Sequence, residues 1–195
     1  GILRETGAKV LVTLKSFPKT EVAQKAAEAA AKAPNVQTVL EVDLRGYLTG
    51  IKRLLVPLMR PKTPVRHSAK VLGFEAAASA QRHDRLIFDE ADGDRVGAYF
   101  HTGGTTGTPK VAQHKLSGMI YNGWLGGTLL FTERDVLMCP LPMFHVFAAY
   151  PILMSCLKSG AHMVMPTPAG YRGDGVFDNL WKLIERWKVT FLITV

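Results

Sequence analysis

One stretch of the sequence decides the fold: residues 135–165, which read DVLMCPLPMFHVFAAYPILMSCLKSGAHMVM. It opens with the apolar strand DVLMCPL, continues into a helix that we predict over residues 144–158, and closes with the apolar strand AHMVM. Short apolar runs on either side of a helix are typical of parallel strands that are buried on both faces. The stretch therefore predicts an α/β fold.

The same alternation of strands and helices extends outward in both directions. Apolar residues at helical spacing predict a helix over residues 176–187, with Trp181 and Trp187 in the core, and VTFLITV then predicts a strand. We expect mostly parallel sheets covered by helices. The other predicted elements are the strand AKVLVTL, residues 8–14; an alanine-rich helix, residues 21–33, capped by Thr20 and stopped by Pro34; the strand VQTVLEVDL, residues 36–44; a short helix before Pro57; a short helix, residues 73–81; the strand VGAYF, residues 96–100; and a helix weakened by its glycines, residues 117–130.

Three parts follow one another along the chain. Residues 1–50 form a strand-helix-strand unit, and residues 45–95 a basic and then acidic connection that is mostly irregular up to residue 70. Residues 96–195 hold a glycine-rich loop and the β/α units after it. Because the chain begins and ends on apolar strands rather than polar tails, we expect it to be a fragment of a larger domain.

Composition excludes several classes of protein. The chain has 195 residues, 47% of them hydrophobic and 21% charged, which is typical of a folded globular domain and excludes disordered and collagen-like chains. Cys139 and Cys156 have no CxxC spacing, so neither a disulfide scaffold nor a zinc site is predicted. Since no signal-peptide layout opens the sequence, we expect a reducing, cytoplasmic location. The uncharged residues 136–157 are long enough to span a membrane, but their three prolines favour buried core.

Positive charge is concentrated in residues 45–85, within a chain of formal net charge +8. A solvated face is the usual meaning of such a run, and an anionic membrane, a nucleic acid or a phosphate-bearing ligand are the alternatives. No interleaved aromatic residues support base stacking, which argues against nucleic acid and leaves a peripheral membrane contact open. The basic residues are Arg45, Lys52, Arg53, Arg60, Lys62, Arg66, Lys70, Arg82 and Arg85, against Glu75 and Asp84.

The segment YFHTGGTTGTPK, residues 99–110, carries the clearest chemistry. Its glycines let backbone amides approach an anion, its threonine hydroxyls add donors, and Lys110 adds a positive charge, which together suit a polyphosphate. It matches neither the Walker A loop nor the GxGxxG pattern, and a polar turn of chance composition is the alternative. The predicted phosphate-binding residues are Thr102, Gly103, Gly104, Thr105, Thr106, Gly107, Thr108 and Lys110.

These residues resemble a known signature. TGGTTGTPK is similar to the loop of the adenylate-forming, AMP-binding superfamily, which includes acyl-CoA synthetases, peptide-synthetase adenylation domains and luciferases. PLPMFHVFAAY, residues 140–150, resembles the second landmark of that superfamily, and FLITV resembles the strand after it. The resemblance is greatest to acyl-CoA synthetases. It implies that residues 1–195 belong to the large N-terminal AMP-binding domain, a layered αβαβα arrangement.

The resemblance also implies an activity. A carboxylic acid and ATP would give an acyl-adenylate and pyrophosphate, and a thioester would then form with CoA, with Mg²⁺ assisting. Lys110 would act as a catalytic point charge on the phosphates, and His145 would lie beside the carboxylate and ATP, although a packed or capping histidine is the alternative. No residue is assigned as a metal ligand. Motifs needed for adenylation are missing from residues 1–195, so the fragment alone is expected to be inactive.

Two other functions stay open at this point. One is an adenylation domain that feeds a carrier protein, and the other is a phosphate- or nucleic-acid-binding module without catalysis. The acidic cluster at residues 89–94 lacks the order of an EF-hand, so we predict a solvated turn there.

Overall fold

The computed structural model describes residues 1–62, 65–89, 92–102 and 110–194. The chain divides into two compact units, Gly1–Glu90 and Ala91–Val195, called the first and second unit below. Each unit contains a parallel sheet of three strands.

The first unit is built on a sheet in the order β1-β2-β3, with all neighbours parallel. Helix α2 packs on this sheet because its alanines are small enough to let the two approach, and Ala30 joins Val39 of β2 in a small buried core. Its elements are α1 (Ile2–Glu5), β1 (Val10–Leu14), α2 (Val22–Ala31), β2 (Thr38–Val42), a 3₁₀ turn (Leu44–Tyr47), α3 (Gly50–Met59), β3 (Lys70–Gly73) and α4 (Phe74–Ser79).

Two predictions for the first unit have different outcomes. The strand-helix-strand order of residues 1–50 is confirmed. The N-cap of α2 is Glu21 rather than the predicted Thr20, whose hydroxyl accepts a hydrogen bond from the Val22 amide at 3.3 Å. The short helix expected before Pro57 is confirmed as α3, but it continues through Pro57 to Met59, so the connection up to residue 70 is less irregular than expected. Pro57 lies in the last turn of α3, where its missing N–H removes one intrahelical hydrogen bond, and the helix ends two residues later.

Strand β3 is absent from the sequence-based prediction. It pairs with β2 in parallel, so that Val71 lies opposite Val39, yet all four of its residues are exposed. Nothing in its local pattern therefore distinguishes it from a loop, and only pairing with a distant strand defines it. The short helix after it is confirmed as α4.

The second unit contains a hairpin and a parallel sheet in the order β7-β6-β8. The hairpin of β4 and β5 is antiparallel, the one exception among the described sheets to the prediction of parallel pairing. Its elements are β4 (Val96–Thr102), β5 (Lys110–Lys115), α5 (Leu116–Leu129), β6 (Val136–Met138), a π-helix (Ala148–Met154), α6 (Ser155–Ser159), β7 (His162–Val164), a 3₁₀ turn (Gly170–Arg172), α7 (Leu180–Trp187) and β8 (Phe191–Leu192).

The core of the second unit surrounds β6. Leu137 and Met138 have no exposed surface, and Cys139 has almost none. Residues 136–157 are cut into strand β6 and a helical segment as predicted, and Leu137, Ala148 and Ile152 from this range belong to the buried core, whereas residues 144–147 and Leu157 are exposed. Within the part of the chain that the structure describes, no helix is both long enough and apolar enough to cross a bilayer.

Helix α5 forms as predicted, but its glycines have a different role from the one expected. Gly123 and Gly126 are buried where α5 crosses the following helical segment. A Cβ atom on Gly126 would lie 2.7 Å from the Ser155 Cβ, so only glycine permits this close approach. The glycines therefore allow tight helix packing rather than simply weakening the helix.

Neither tryptophan of α7 is in the core, which corrects the prediction. Leu180, Leu183 and Ile184 are the half-buried residues at helical spacing, whereas Trp181 lies about 100° away from Leu180 around the helix. Trp181 is accordingly 76% exposed, and Trp187 is 40% exposed. Helix α7 also begins at Leu180 rather than at residue 176.

Candidate functional site

The carboxyl edge of the β7-β6-β8 sheet carries the candidate site. The loops that leave β6 and β7 meet there, and the Tyr171 amide donates a hydrogen bond to the Pro140 carbonyl at 2.9 Å. Gly170 adopts a φ of +60°, and a Cβ on it would collide with the same carbonyl, so glycine is required for this contact. In open α/β sheets the carboxyl edge is where ligands usually bind.

A cavity of about 630 Å³ opens between these two loops. Leu141, Phe144, Val146 and Phe147 give it a mostly apolar wall. The wall also contains polar side chains, among them His145 on the loop after β6 and Arg172 on the loop after β7. An apolar chamber with a few polar groups is the usual form of a small-molecule site.

His145 lies where the sequence predicted it, at the start of the helical segment after β6. Its amide donates to the Pro142 carbonyl at 3.0 Å, and its carbonyl accepts from the Ala149 amide at 3.1 Å, so the backbone is held on both sides. Its imidazole is exposed and lies 4.8 Å from the Phe144 ring, centroid to centroid. The imidazole is therefore free to meet a ligand, while its catalytic role stays a prediction.

Tyr171 and Arg172 are cavity residues that the sequence reasoning missed. The Tyr171 hydroxyl donates to the Ile193 carbonyl at 2.7 Å, and its ring stacks on Phe177 at 5.2 Å. These contacts fix the loop after β7 against the residue that follows β8. The signal in the sequence was the loop PTPAGYRGDG directly after an apolar strand, because that position falls on the carboxyl edge of a parallel sheet.

The predicted phosphate site is described only at its two ends. Thr102 ends β4, Lys110 begins β5, and the Thr102 hydroxyl donates to the Lys110 carbonyl at 3.1 Å. The two residues are cross-strand partners and therefore share one face of the hairpin. The other predicted residues, Gly103, Gly104, Thr105, Thr106, Gly107 and Thr108, lie outside the described part of the chain.

A cluster of three aromatic rings joins this hairpin to the helical segment that follows His145. Phe100 of β4, His114 of β5 and Tyr150 lie 5.0 to 5.5 Å apart, ring centroid to ring centroid. Side chains alternate along a strand, so Phe100 and His114 share the hairpin face of Thr102 and Lys110. The face that carries Lys110 thus packs on the helical segment containing Tyr150. Burial raises the pKa of Tyr150, whose hydroxyl has no hydrogen-bond partner among the described residues.

The end of the acidic cluster has a structural role that the sequence did not predict. Asp94 accepts hydrogen bonds from the Ser117 amide at 2.9 Å and the Ser117 hydroxyl at 2.8 Å. These two bonds hold the pKa of Asp94 below its ordinary value. Asp94 thereby fixes the first turn of α5. In the described ranges, no three His, Cys, Asp or Glu side chains come together to hold a metal ion.

Comparison with known proteins identifies the family. The model of the AMP-binding enzyme family matches residues 1–195, so the chain belongs to this family. It is similar to a marinolic acid–CoA ligase of Pseudoalteromonas sp. (strain SANK 73390), at 28% identity over 100% of this chain and 28% of the relative. It is also similar to a 3-methylmercaptopropionyl-CoA ligase of Ruegeria pomeroyi, at 31% identity over 78% of this chain and 28% of the relative. The chain thus spans 28% of the length of these curated relatives.

Two solved structures confirm the α/β fold. The anthranilate CoA ligase AuaEII in complex with anthranoyl-AMP superimposes with a TM-score of 0.66 at 19% identity, over 98% of this chain and 31% of that chain. ATP-bound MatB from Rhodopseudomonas palustris superimposes with a TM-score of 0.53 at 23% identity, over 85% of this chain and 31% of that chain.

Proposed function

We propose that the protein activates a carboxylic acid with ATP and passes the acyl group to CoA. In the first step a carboxylate oxygen attacks the α-phosphorus of ATP, so that an acyl-adenylate forms and pyrophosphate leaves. In the second step the CoA sulfur attacks the acyl carbon and AMP leaves. The observation that carries the proposal is the cavity between the loops after β6 and β7, which combines an apolar wall with His145 and Arg172.

The cavity suits the acid substrate. Burial of an apolar acyl group against Phe144, Val146 and Phe147 contributes roughly 25 cal/mol for each Å² removed from water. His145 and Arg172 supply donors that orient a carboxylate, and charge-assisted hydrogen bonds of this kind are the stronger ones in proteins. Relatives named as CoA ligases support CoA as the acceptor.

ATP phosphates are proposed to bind at the tip of the hairpin. Lys110 would contribute its charge, and residues 102–108 would contribute backbone amides and hydroxyls, an arrangement that stabilises charge on a pyrophosphate leaving group. The described residues provide no metal site of their own, so we propose that Mg²⁺ arrives bound to the phosphate oxygens of ATP.

Acid-dependent exchange of pyrophosphate into ATP, measured in a full-length enzyme that contains residues 1–195, tests the first step. Lys110→Gln is expected to raise the KM for ATP about 10- to 100-fold, the range of a lost hydrogen bond to a charged group. Lys115→Gln is the matched control, because Lys115 lies on the same strand but on the opposite face, 3.7 Å from Asp94. Equal effects of the two substitutions would overturn the phosphate assignment.

The KM for the acid, rather than the KM for ATP, tests the role of the cavity. His145→Ala and Arg172→Gln are each expected to raise the KM for the acid about tenfold or more while the KM for ATP changes less. His162→Ala is the control, since His162 lies on β7 with its ring 5.8 Å from that of Trp187 and not on the cavity wall. An unchanged acid dependence in both cavity variants would show that the acid binds elsewhere.

A further inference from the structure

Tyr171 joins the carboxyl ends of all three strands of the β7-β6-β8 sheet. It lies on the loop after β7, its amide donates to the carbonyl of Pro140 after β6, and its hydroxyl donates to the carbonyl of Ile193 after β8. Both partners belong to the interior, since Pro140 is fully buried and Ile193 is 8% exposed. Tyr171 is therefore held between two fixed points of the sheet.

The loop around Tyr171 is closed by short-range hydrogen bonds. The Thr167 hydroxyl donates to the Gly170 carbonyl at 3.0 Å, and the Gly170 amide donates to the Thr167 carbonyl at 3.1 Å. The Gly173 amide also donates to the Gly170 carbonyl, at 3.1 Å. Residues 167–173 thus form one tight turn, and a displacement of Tyr171 moves Arg172 with it.

Arg172 depends on this turn for its position. Its side chain is exposed on the cavity wall and, within the part of the chain that the structure describes, makes neither an ion pair nor a hydrogen bond. The loop backbone therefore sets where its charge lies. His145, the other polar group, is held by the loop after β6 through its bond to the Pro142 carbonyl. The bond from the Tyr171 amide to the loop after β6 directly links the two loops that carry these groups.

We propose that Tyr171 is a positioning residue for the acid, and that its two hydrogen bonds hold Arg172 where the guanidinium binds the carboxylate. This role rests on the proposed function, since the acid must occupy the cavity for Arg172 to bind it. The single O–H of Tyr171 is donated to Ile193, so Tyr171 acts through Arg172 rather than by donating to the acid. Binding groups need to lie within about 0.5 Å of their productive geometry, so a bond that does not touch the substrate still affects its affinity.

Removal of one hydroxyl tests this role in a full-length enzyme that contains residues 1–195. Tyr171→Phe keeps the ring that stacks on Phe177 and is expected to raise the KM for the acid about three- to tenfold, the range of one lost neutral hydrogen bond, with the KM for ATP unchanged.

Thr190→Val is the matched control for Tyr171→Phe. It removes a hydroxyl that bonds Asp135 at 2.9 Å and the Val136 amide at 3.0 Å, at the amino edge of the same sheet. This variant is expected to be less stable than the native enzyme but to keep the native KM for the acid. Equal increases in that KM in Thr190→Val and Tyr171→Phe would reduce Tyr171 to a structural residue and overturn the proposal.

A double variant tests whether Tyr171 acts through Arg172. Arg172→Gln alone is expected to raise the KM for the acid about tenfold, and adding Tyr171→Phe is expected to raise it no further, whereas independent effects would multiply to about thirtyfold or more. A multiplied effect would overturn the proposal. An unchanged KM in Arg172→Gln would also overturn it, and an unchanged KM in His145→Ala as well would overturn the assignment of the cavity to the acid. An increase in Arg172→Gln without one in Tyr171→Phe would overturn the role of Tyr171 alone.

Hydrogen exchange gives a readout that does not depend on activity. In the ligand-free full-length enzyme, the amides of residues 169–173 are expected to exchange several-fold faster in Tyr171→Phe, because the turn opens more often without the bond to Ile193. Thr190→Val is expected to leave the exchange of these amides unchanged. Native exchange rates for residues 169–173 in Tyr171→Phe would show that the hydroxyl does not hold the turn, and would overturn the proposal.

Discussion

The two parallel sheets have the same number of strands but differ in strand order and in how deeply they are buried. Each has three parallel strands. In β1-β2-β3 the only buried strand residue is Val39, whereas in β7-β6-β8 the central strand contains Leu137 and Met138, which are fully buried. Two parallel sheets of equal size therefore do not have equal cores. The depth of burial follows from the side chains that the covering helices bring, which are mostly alanines in α2 and larger residues such as Ile152 over β6.

The carboxyl edges of the two sheets also differ in what their loop residues form. After β2, Asp43 accepts hydrogen bonds from the Arg60 side chain at 2.6 Å and from the Arg45 amide at 3.0 Å, so its charge is satisfied within the protein. After β6 and β7, His145 and Arg172 line a cavity. Both sheets have a carboxyl edge, and the loop residues decide whether that edge holds an ion pair or a cavity.

The largest expected effect comes from the two cores. Leu137→Ala is expected to lower the free energy of unfolding by about 2–5 kcal/mol, because a leucine with no exposed surface leaves a cavity. Val39→Ala is expected to cost about 1–2 kcal/mol, because it removes two methylene equivalents from a thinner core. Hydrogen exchange measured separately in the two sheets resolves which unit each substitution destabilises. Losses of the same size would remove the distinction between the cores.

The second effect concerns the packing of helices over the deeper core. Gly126→Ala is expected to lower stability by about 1–3 kcal/mol, because its Cβ would overlap Ser155. Gly118→Ala in the same helix is expected to raise stability by about 0.5–1 kcal/mol, since nothing lies within 4 Å of the added atom and alanine favours the helix. Thermal unfolding of the pair measures the difference. If both substitutions stabilise, α5 is not closely packed against the segment with Ser155.

The third effect concerns two tyrosines of the second unit. Tyr150→Phe is expected to raise stability by about 1–2 kcal/mol, because it removes a buried hydroxyl without a partner among the described residues and keeps the ring cluster. Tyr171→Phe is expected to lower stability by about 1 kcal/mol, because it removes the hydrogen bond to the Ile193 carbonyl. Urea unfolding of both variants checks the opposite signs. A loss in Tyr150→Phe would indicate that this hydroxyl has a partner in the native protein.

The sequence predicted those parts of the fold that local pattern controls. Strands β6 and β7 were found because short apolar runs flank a helix, and His145 was found because it lies in a motif beside that helix. Strand β3 was missed because its exposed residues show no alternation and its pairing partner is remote. Tyr171 and Arg172 were missed for a related reason, since only the meeting of two loops places them at the cavity.

The smallest expected effect is at Asp43, on the edge without a ligand cavity. Burial would raise the pKa of Asp43, but the hydrogen bonds from Arg60 and Arg45 and the charges of both arginines outweigh it and hold the pKa below its ordinary value. Because the pKa is lower in the folded than in the unfolded state, the carboxylate stabilises the fold at pH values above its ordinary pKa. This contribution is lost as the pH falls through the folded pKa.

Asp43→Asn is therefore expected to cost about 1 kcal/mol at neutral pH, a value for a partly exposed ion pair. The difference in the free energy of unfolding between the native protein and the variant should stay constant down to about pH 4 and disappear below it. Asp84→Asn is the control, because its pair with Arg82 is exposed, and no measurable change is expected. Urea unfolding across this pH range measures both. In the full-length enzyme, formation of the acyl-adenylate should be unchanged in Asp43→Asn, since we propose that the acid binds at the edge after β6 and not at the edge after β2. A loss of activity at constant stability would assign the edge after β2 to the active site.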